Sequence, residues 1–551
     1  MKKWEVLGRL KAGSKFKVQN VIELLLQNRN IKTQKEIKEF LSLSLKNITV
    51  QNSGINKKEL KKSLDRIKKA IKHNEQIIVF GDYDVDGICG SAILWETLNT
   101  SGAKVLPYIP NRVEEGYGLS VKGISNLKLQ IPNTKLIITV DNGIVANEPV
   151  EFAKKQGIDV IITDHHVPSK KIPQAFSIVH TTKLCGAAVA WMLSREFKTK
   201  IDHLELVALA TVADLVPLTA QNRTIVKFGI EKLQSTKRIG LLELYKLAGL
   251  DKNSLGTYEI GHVIAPRLNA MGRLESAMDS LRLICTKNPK RAEELAFKLN
   301  NTNFQRRSVT DEAVAHALNT LKVGKVNGKL IFVAHESYQQ GVIGLVAGKL
   351  VEQYYLPSIV ISKGELLSRA SARSISGFNI IEFIRLASEF LVDAGGHPMA
   401  AGFTVETAKI ELLKKRLEEL AFKQVTKKLL DQTLRIDCEL PAEFINDQLY
   451  EAVQKLSPFG MANPMPVFAS KVRIESLKAV GNGARHIKFR FTDGTNFFDG
   501  IWFGTGDRIA EFKVGDRVEV AYVIDQDSWN GNKRLQLKIK DIKMRAREQA
   551  S

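Results

Sequence analysis

Three carboxylates stand at alternate positions in Val79-Phe80-Gly81-Asp82-Tyr83-Asp84-Val85-Asp86-Gly87, directly after an apolar run. That much like charge in one turn beside a buried segment is costly unless a cation neutralises it. Ligands that offer only oxygen suit hard ions such as Mg2+ or Mn2+. The spacing also fits a calcium loop, but position twelve counted from Asp82 is Ile93, where such a loop needs a bidentate Glu. An Asp-rich surface turn would account for the segment if it stood alone. It does not stand alone. Asp141 follows in Val140-Asp141-Asn142-Gly143, then Asp164-His165-His166, then Asp214 in Val212-Ala213-Asp214-Leu215. A lone His is most often a structural hydrogen-bonding residue, whereas an adjacent pair beside an Asp is harder to explain that way. Several carboxylates and a His around one crevice fit two divalent cations with one Asp shared between them. Two metals about 3.5–4 Å apart are the arrangement that activates water and stabilises both oxygens in phosphoryl hydrolysis.

The elements that must position these residues read as strand–turn–helix units. Gln76-Ile77-Ile78-Val79-Phe80, Lys135 to Val140 and Asp159 to Thr163 are β-branched runs, each ending in the polar residues above. Such runs separated by helices describe a parallel sheet buried on both faces, whose ligand crevice lies beyond the carboxyl ends of the strands. Residues 289–322 read as one long amphipathic helix without an internal Gly or Pro, a rigid connector to a second α/β region. There Leu330 to Ala334 and Ser358 to Ile361 are strand-like, with Gly-rich loops expected at 341–348 and 395–402. From about residue 431 the pattern becomes alternation, as in His486-Ile487-Lys488-Phe489-Arg490-Phe491, which predicts a small β-barrel. The expected domains are thus a basic N-terminal segment (1–75), a parallel-sheet domain (76–286), a connecting helix (287–322), a second α/β domain (323–430) and a barrel (431–545).

Composition narrows the function. The chain has 551 residues, 44% hydrophobic and 25% charged, a globular mixture long enough for several domains. Its 81 Lys and Arg against 59 Asp and Glu leave +22, a field that attracts polyanions. Residues 1–75 hold 19 basic and 7 acidic residues, so +12 of that excess lies there, whereas residues 431–551, with 18 and 17, carry +1. Leu60, Leu64, Ile67 and Ile71 give the end of the basic segment helical spacing, either a solvated surface helix or, as a patch, a track for a phosphate backbone. The apolar stretches fall short of the roughly 18–20 residues of a membrane span, and Met1-Lys2-Lys3-Trp4-Glu5 lacks a signal-peptide core. Four dispersed cysteines without a Cys-x-x-Cys pair exclude a zinc ribbon and point to a reducing, cytoplasmic setting.

The ordered set Gly81 to Gly87, Val140-Asp141-Asn142-Gly143, Asp164-His165-His166 and Val212-Ala213-Asp214 resembles the DHH phosphoesterase superfamily. Arg267 to Leu274, Ala372-Arg373-Ser374 and Gly395-Gly396-His397-Pro398-Met399-Ala400-Ala401-Gly402 resemble motifs of its RecJ family of bacterial single-stranded-DNA-specific exonucleases. The resemblance covers the chain from about residue 70 onward; a small departure is Cys89, where members often carry Thr. It implies a DHH domain, a DHH-associated domain and a C-terminal oligonucleotide-binding (OB-fold) barrel. It also implies 5′-to-3′ release of mononucleotides from single-stranded DNA with Mn2+ or Mg2+, in repair and recombination. By motif matching, Asp82 and Asp84 hold one metal, Asp86, His165 and Asp214 the other, and Asp141 bridges. Asp164 orients the neighbouring imidazole, and His166 faces the scissile phosphate. Water is the implied nucleophile, so no side chain need play that part.

A 5′-phosphorylated strand asks for bidentate donors, which Arg supplies better than Lys. Arg373 with Ser371, then Arg273 and Arg112, are the candidates, although each alone fits a structural salt bridge equally well. Gly395-Gly396 could bring backbone N–H groups to phosphate, with His397 donating a hydrogen bond, or could serve a tight turn. Strand recognition is expected from the barrel and from a channel between the two α/β domains. In the barrel, Phe489 and Phe491 share a face and suit the core, which leaves Lys488 and Arg490 for DNA; Trp502 fits either role. A helicase or a single-strand-binding protein is a candidate partner, and a membrane is not. Two other readings are a DHH phosphodiesterase for very short RNA or cyclic dinucleotides, and a DNA-binding scaffold with a decayed site. The extra module after residue 431 argues against the first, and the full ligand set argues against the second.

Overall fold

The computed structural model describes residues 2–10, 17–112, 114–324, 328–527 and 534–544. They form two compact units: Met1–Ser44 with Pro217–Ala220 and Gln432–Ser551, and Leu45–Val216 with Gln221–Asp431. The chain begins with a short strand, β1 (Lys3–Val6), in the first unit.

The second unit holds two five-stranded sheets. Its first sheet is wholly parallel, in the order β3-β2-β4-β5-β6, where β2 is Gln76–Phe80, β3 Val105–Tyr108, β4 Thr134–Val140, β5 Asp159–Asp164 and β6 Ser177–His180. Every residue of β2 is buried, as its unbroken apolar pattern requires. One face packs Ile78, Phe80, Ile137 and Ile162 against Ile124, Leu127 and Val150 of the crossover helices. Phe80 lies opposite Thr139, and Val140 opposite Thr163, so three neighbouring strands end in step. Their tips are then tied: Asn142 Nδ2 donates to the carbonyls of Phe80 and Val140 at 3.3 and 2.8 Å, and Thr163 Oγ1 donates to the Thr139 carbonyl at 2.6 Å.

The long helix spans Pro289–Gly324. It packs on the helices Ile239–Ala248, Ala265–Leu274 and Ile343–Tyr354, joining the two sheets within this unit. The second sheet runs in the order β10-β11-β9-β8-β7, with β7 at Ile331–His335, β8 at Ser358–Ser362, β9 at Leu367–Arg373, β10 at Leu391–His397 and β11 at Ala400–Glu406. Only β7 and β8 are parallel; the rest pair antiparallel.

Two expected loops are regular structure. Residues 395–402 are the ends and turn of the β10–β11 hairpin, and 341–348 run into the helix Ile343–Tyr354. Glycine-rich composition suggests a loop there. In the hairpin, however, Gly396 adopts φ 143°, and a Cβ at that position would stand 2.4 Å from the Ala400 carbonyl oxygen. Gly396 thus permits the close approach of the two strands, whereas a Cβ at Gly395 would meet open space.

The stretch read as one basic segment is divided between the units. Helix Lys57–Lys72 belongs with the first sheet, burying Leu60, Leu64 and Ile67. Its Arg66 is withdrawn from the basic face, bonded to Glu75 at 2.8 Å and Asp159 at 2.6 Å. Residues 3–6, in contrast, pair in parallel with β12 (Thr433–Ile436) of the barrel unit. Trp4 Nε1 donates to Asp541 at 2.8 Å, and Val21, Ile22, Leu25 and Leu26 of helix Val18–Gln27 enter the barrel's apolar core.

In that unit β13 (Cys438–Glu439) leads into a closed five-strand barrel of β14 (Phe468–Val480), β15 (His486–Thr492), β16 (Phe497–Trp502), β18 (Arg534–Met544) and β17 (Arg517–Asp527), with β17 pairing back onto β14. Phe489 and Phe491 are inside, their rings stacked with centroids 5.1 Å apart. Trp502 joins them at 6% exposure, which resolves its role as core. Phe489→Ala should therefore lower stability by about 3–5 kcal/mol, the usual cost of an aromatic-sized cavity. Thermal or urea unfolding of the intact chain checks this, and a loss below about 1 kcal/mol would contradict the packing described.

Candidate active site

The carboxylates converge through their elements. Asp82 follows β2; Asp84 is the N-cap of helix Val85–Thr100, and Asp86 lies in its first turn. Asp141 follows β4, Asp164 ends β5, and Asp214 caps the C-terminus of helix Leu204–Ala213. Three groups of ligand atoms, each within 4.8 Å of one another, result: Asp82, Asp84 and Asp141; Asp86, His165 and Asp214; and Asp141, His165 and His166. His165 Nε2 stands 3.1 Å from Asp141 Oδ1, 3.6 Å from Asp214 and 3.7 Å from Asp86.

Local backbone hydrogen bonds aim these groups. Asp84 Oδ1 accepts from the Asp86 and Gly87 N–H groups at 2.9 and 3.1 Å, and Asp82 Oδ1 accepts from Tyr83 N–H at 2.8 Å. A side chain at Gly87 would put its Cβ 2.5 Å from the Asp82 backbone, so only glycine lets the turn close. Asp86 spends one bond from each oxygen on the first amides of helix Gly186–Ser194, 2.6 Å to Gly186 N and 2.7 Å to Ala187 N. The partial positive charge of a helix N-terminus suits an anion. Gly186 is also pressed on Asp141: a Cβ there would approach the Asp141 Cβ to 2.6 Å.

Asp141 holds φ 63°, a left-handed conformation that Asp tolerates better than most residues. Asp164 is saturated, accepting from the N–H groups of Ile144, His165 and His166 and bonded at 2.8 Å to His166 Nδ1. The imidazole it orients is therefore that of His166, whose Nε2 reaches the Tyr117 hydroxyl at 3.1 Å.

The electrostatics ask for a cation. Among the described residues no Lys or Arg forms an ion pair with Asp82, Asp84, Asp86, Asp141 or Asp214. Burial, then mutual repulsion, raises Asp82, Asp84 and Asp141 above the ordinary carboxylate range and Asp214 to about 8. Burial also lowers His165, favouring the neutral imidazole that metals bind. At His166 burial opposes the proton, but the hydrogen bond to Asp164 outweighs it and the group stands at about 9. Asp141 Oδ1 is buried without a hydrogen-bond partner, facing His165 Nε2. Two electron-pair donors aimed at one point, in a set of oxygens and one imidazole, fit divalent Mn2+ or Mg2+.

A second cluster has the opposite sign. Arg112 lies over the Tyr83 ring, 5.1 Å from its centroid. Arg273 Nη1 donates to the Gly341 carbonyl at 3.1 Å, and Arg373 Nη1 to Ser371 Oγ at 3.1 Å and the Ala372 carbonyl at 2.8 Å. Burial, helped by Arg112, Arg306 and Arg373, pulls Arg273 down to about 10. No ion pair with a carboxylate is formed by Arg112, Arg273, Arg306 or Arg373 among the described residues.

Sequence reading missed Arg306. It lies on the long helix with Nε buried and unpaired, and its local motif carries no signal. Gly344 was also missed: a Cβ there would sit 2.7 Å from Arg373 Nη2, so the glycine at this helix start makes room for the guanidinium. Tyr117 and Asn269, whose Oδ1 accepts from Val85 N–H at 2.9 Å, complete the set; Asn269 stood inside the motif Arg267 to Leu274.

His397 is exposed at the end of β10, opposite Ala400, which in turn lies opposite Arg373 on β9; its imidazole makes no hydrogen bond or ion pair among the described residues. In the barrel unit, Lys488 and Arg490 lie on the outer face of β15: Lys488 is half-buried and opposite Lys478, and exposed Arg490 covers Phe497 at 4.7 Å.

A parallel sheet with acidic strand tips, followed by a second α/β sheet and a barrel, is the architecture of a DHH phosphoesterase with its associated domain. Residues 76–211 match the DHH family, N-terminal domain, residues 327–423 the DHHA1 domain, and residues 436–541 the RecJ OB domain. The chain belongs to the RecJ family. It is 30% identical to the single-stranded-DNA-specific exonuclease RecJ of Escherichia coli over 88% of this chain and 90% of that one, and 30% identical to that of Salmonella typhimurium over 87% and 89%. Bacillus subtilis RecJ is 35% identical over 88% of this chain, which spans 63% of that protein's length. Thermus thermophilus RecJ in complex with Mn2+ superposes with a TM-score of 0.81 at 26% identity, over 99% of this chain and 80% of that one. A structure of the same protein with Mg2+ superposes at 0.76 and 25% identity, over 99% and 79%. No described helix is long and apolar enough to cross a membrane.

Because metals bind the ionised carboxylate, groups with raised pKa values must lose protons when Mn2+ enters. Mn2+ uptake at pH 7 should release protons, and affinity should rise as pH climbs through about 8, where Asp214 ionises. Calorimetry in buffers of different ionisation enthalpy measures this; one enthalpy in all buffers would contradict it.

Proposed function

We propose that this chain hydrolyses single-stranded DNA from its 5′ end, releasing 5′-mononucleotides with two divalent cations, in repair and recombination in the cytoplasm. The observation that carries the reading is the sharing of Asp141 between ligand groups, together with arginines that form no ion pair with a carboxylate among the described residues. In this reading Asp82, Asp84 and Asp141 hold one cation, and Asp86, His165, Asp214 and the shared Asp141 the other. The cations supply Lewis-acid charge and lower the pKa of water. His166, oriented by Asp164, presents Nε2 beside Tyr117 and donates to a non-bridging oxygen of the scissile phosphate. Arg112, Arg273, Arg306 and Arg373, with Ser371, receive the terminal 5′-phosphate, whose charge replaces the missing carboxylates. Tyr83 stands between Asp82 and Asp84 and under Arg112, linking phosphate capture to the cations.

Lys488 and Arg490 neutralise the strand backbone on the barrel, where exposed Phe497 beneath Arg490 offers a stacking face. The domain division we infer is a basic segment (1–75), DHH (76–286), connecting helix (287–322), DHH-associated domain (323–430) and OB barrel (431–545), with residues 3–6 of the basic segment attached to the barrel and its helix Lys57–Lys72 to the DHH sheet.

The test uses the purified chain, Mn2+ and 5′-phosphorylated DNA in single- and double-stranded forms. Mononucleotides should come from the single strand alone; cleavage confined to dinucleotides would favour a short-substrate phosphodiesterase. Asp141→Ala should slow release by about a thousandfold or more while single-strand affinity persists, because the bridging carboxylate serves the cations. Retained turnover would refute the two-metal assignment. Arg306→Ala should raise KM for a 5′-phosphorylated strand about tenfold with kcat little changed, the cost of one charge-assisted contact. An equal effect on a 5′-hydroxyl strand would remove Arg306 from the phosphate pocket.

A further inference from the structure

Helix Val85–Thr100 carries Asp86 in its first turn, and helix Leu204–Ala213 ends at Asp214. Each has a buried acid toward its other end. Glu96 lies ten residues after Asp86, and Glu205 nine before Asp214, about 15 and 13 Å along the axes. The two helices pack side by side, and both acids meet one guanidinium. Arg238 Nη1 and Nη2 donate to the two oxygens of Glu96 at 2.7 and 2.9 Å, and Nε donates to Glu205 Oε1 at 2.6 Å. Nη1 also donates to the Ile284 carbonyl at 3.2 Å, and His203, one residue before the second helix, stands 3.0 Å from Glu96. The Arg and both Glu side chains are only 11–14% exposed. Burial alone would push the Glu96 carboxyl up; Arg238 more than offsets this and holds it at about 2.

A buried ion network is rarely the most stabilising way to fill a core, since well-packed apolar groups of equal volume often serve as well. What it supplies is fixed geometry, because a planar guanidinium donates to its carboxylates through a rigid fork. The antiparallel helices are thus pinned where Glu96 and Glu205 meet and must present Asp86 and Asp214 together at the other end, both near His165 Nε2 at 3.7 and 3.6 Å. A slide of one helix past the other at the pin moves one ligand away from the other by the same amount. We propose that Arg238 is a positioning residue for the metal centre, fixing the axial register of the two ligand-bearing helices through Glu96 and Glu205. The inference rests on the reading above that Asp86 and Asp214 share a cation.

Arg238→Lys keeps the charge and removes the fork; Glu205→Gln keeps the shape and removes one charge. In the full chain, Mn2+ affinity is measured by calorimetry, folding by circular dichroism and thermal melting, and turnover against Mn2+ concentration on a 5′-phosphorylated oligothymidylate. Each variant should fold and bind Mn2+ about tenfold more weakly, the usual effect of losing a group that supports metal ligands. Turnover should fall at limiting Mn2+ and recover at saturation, with KM for DNA unchanged. Mn2+ affinity within twofold of the unaltered protein in a folded variant overturns the proposal. Loss of folding in both variants also overturns it, because the network would then be purely structural. Absence of Mn2+ uptake by the unaltered protein would overturn the metal-centre reading itself.

Discussion

The structure depends on a concentration of like charge that the fold cannot neutralise by itself. Asp82, Asp84, Asp86, Asp141 and Asp214 meet at the ends of buried strands and helices, and no basic side chain among the described residues pairs with them. Backbone amides relieve part of the repulsion: two serve Asp84, two Asp86 and one Asp82. Those bonds hold the carboxylates in place without cancelling their charge. The remaining deficit would be met by protons or by the divalent ions that such a set of oxygens could hold. The left-handed backbone at Asp141 and the close approach of Gly186 are local costs accepted for that convergence.

The arginines form the complementary half. Arg112, Arg273, Arg306 and Arg373 come from a loop, a helix, the long helix and a strand; Arg273 feels the charge of the other three and Arg373 that of Arg112. A cluster short of cations and a cluster short of anions occupy the same unit, with Tyr83 between the two. Such a pair suits a substrate that carries phosphate at both places, one group to be bound and the next to be cut. Separate scaffolds hold the two. Parallel strand tips hold the carboxylates, while the long helix and the second sheet supply Arg306 and Arg373.

Rigidity around the centre comes from contacts both beside it and farther off. Asn142 and Thr163 lace the strand ends, and Arg238 fastens two helices about 13–15 Å from the carboxylates they carry. Ligand positions in such a centre are set by the packing of whole elements more than by the motifs around each ligand.

By itself the sequence determined the chemistry and the class of fold. The β-branched runs before Asp82, Asp141 and Asp164 read as buried parallel strands, and the acids gathered at their ends read together as a cation site. These signals are local, written in residues next to one another. The same holds for the alternation that put Phe489 and Phe491 inside the barrel and Lys488 and Arg490 outside. What lay between distant segments was decided by tertiary structure alone: the amides of Gly186 and Ala187 on Asp86, Arg306 joining the arginines, His397 level with Arg373 across β11, and residues 3–6 paired with 433–436. The hairpin at 395–402 escaped notice because glycine signals both loops and close approach of strands, and only the neighbouring chain tells them apart. A hydrogen bond across a hundred residues of sequence leaves no mark on the spacing of either partner, so no reading of one segment could have found it.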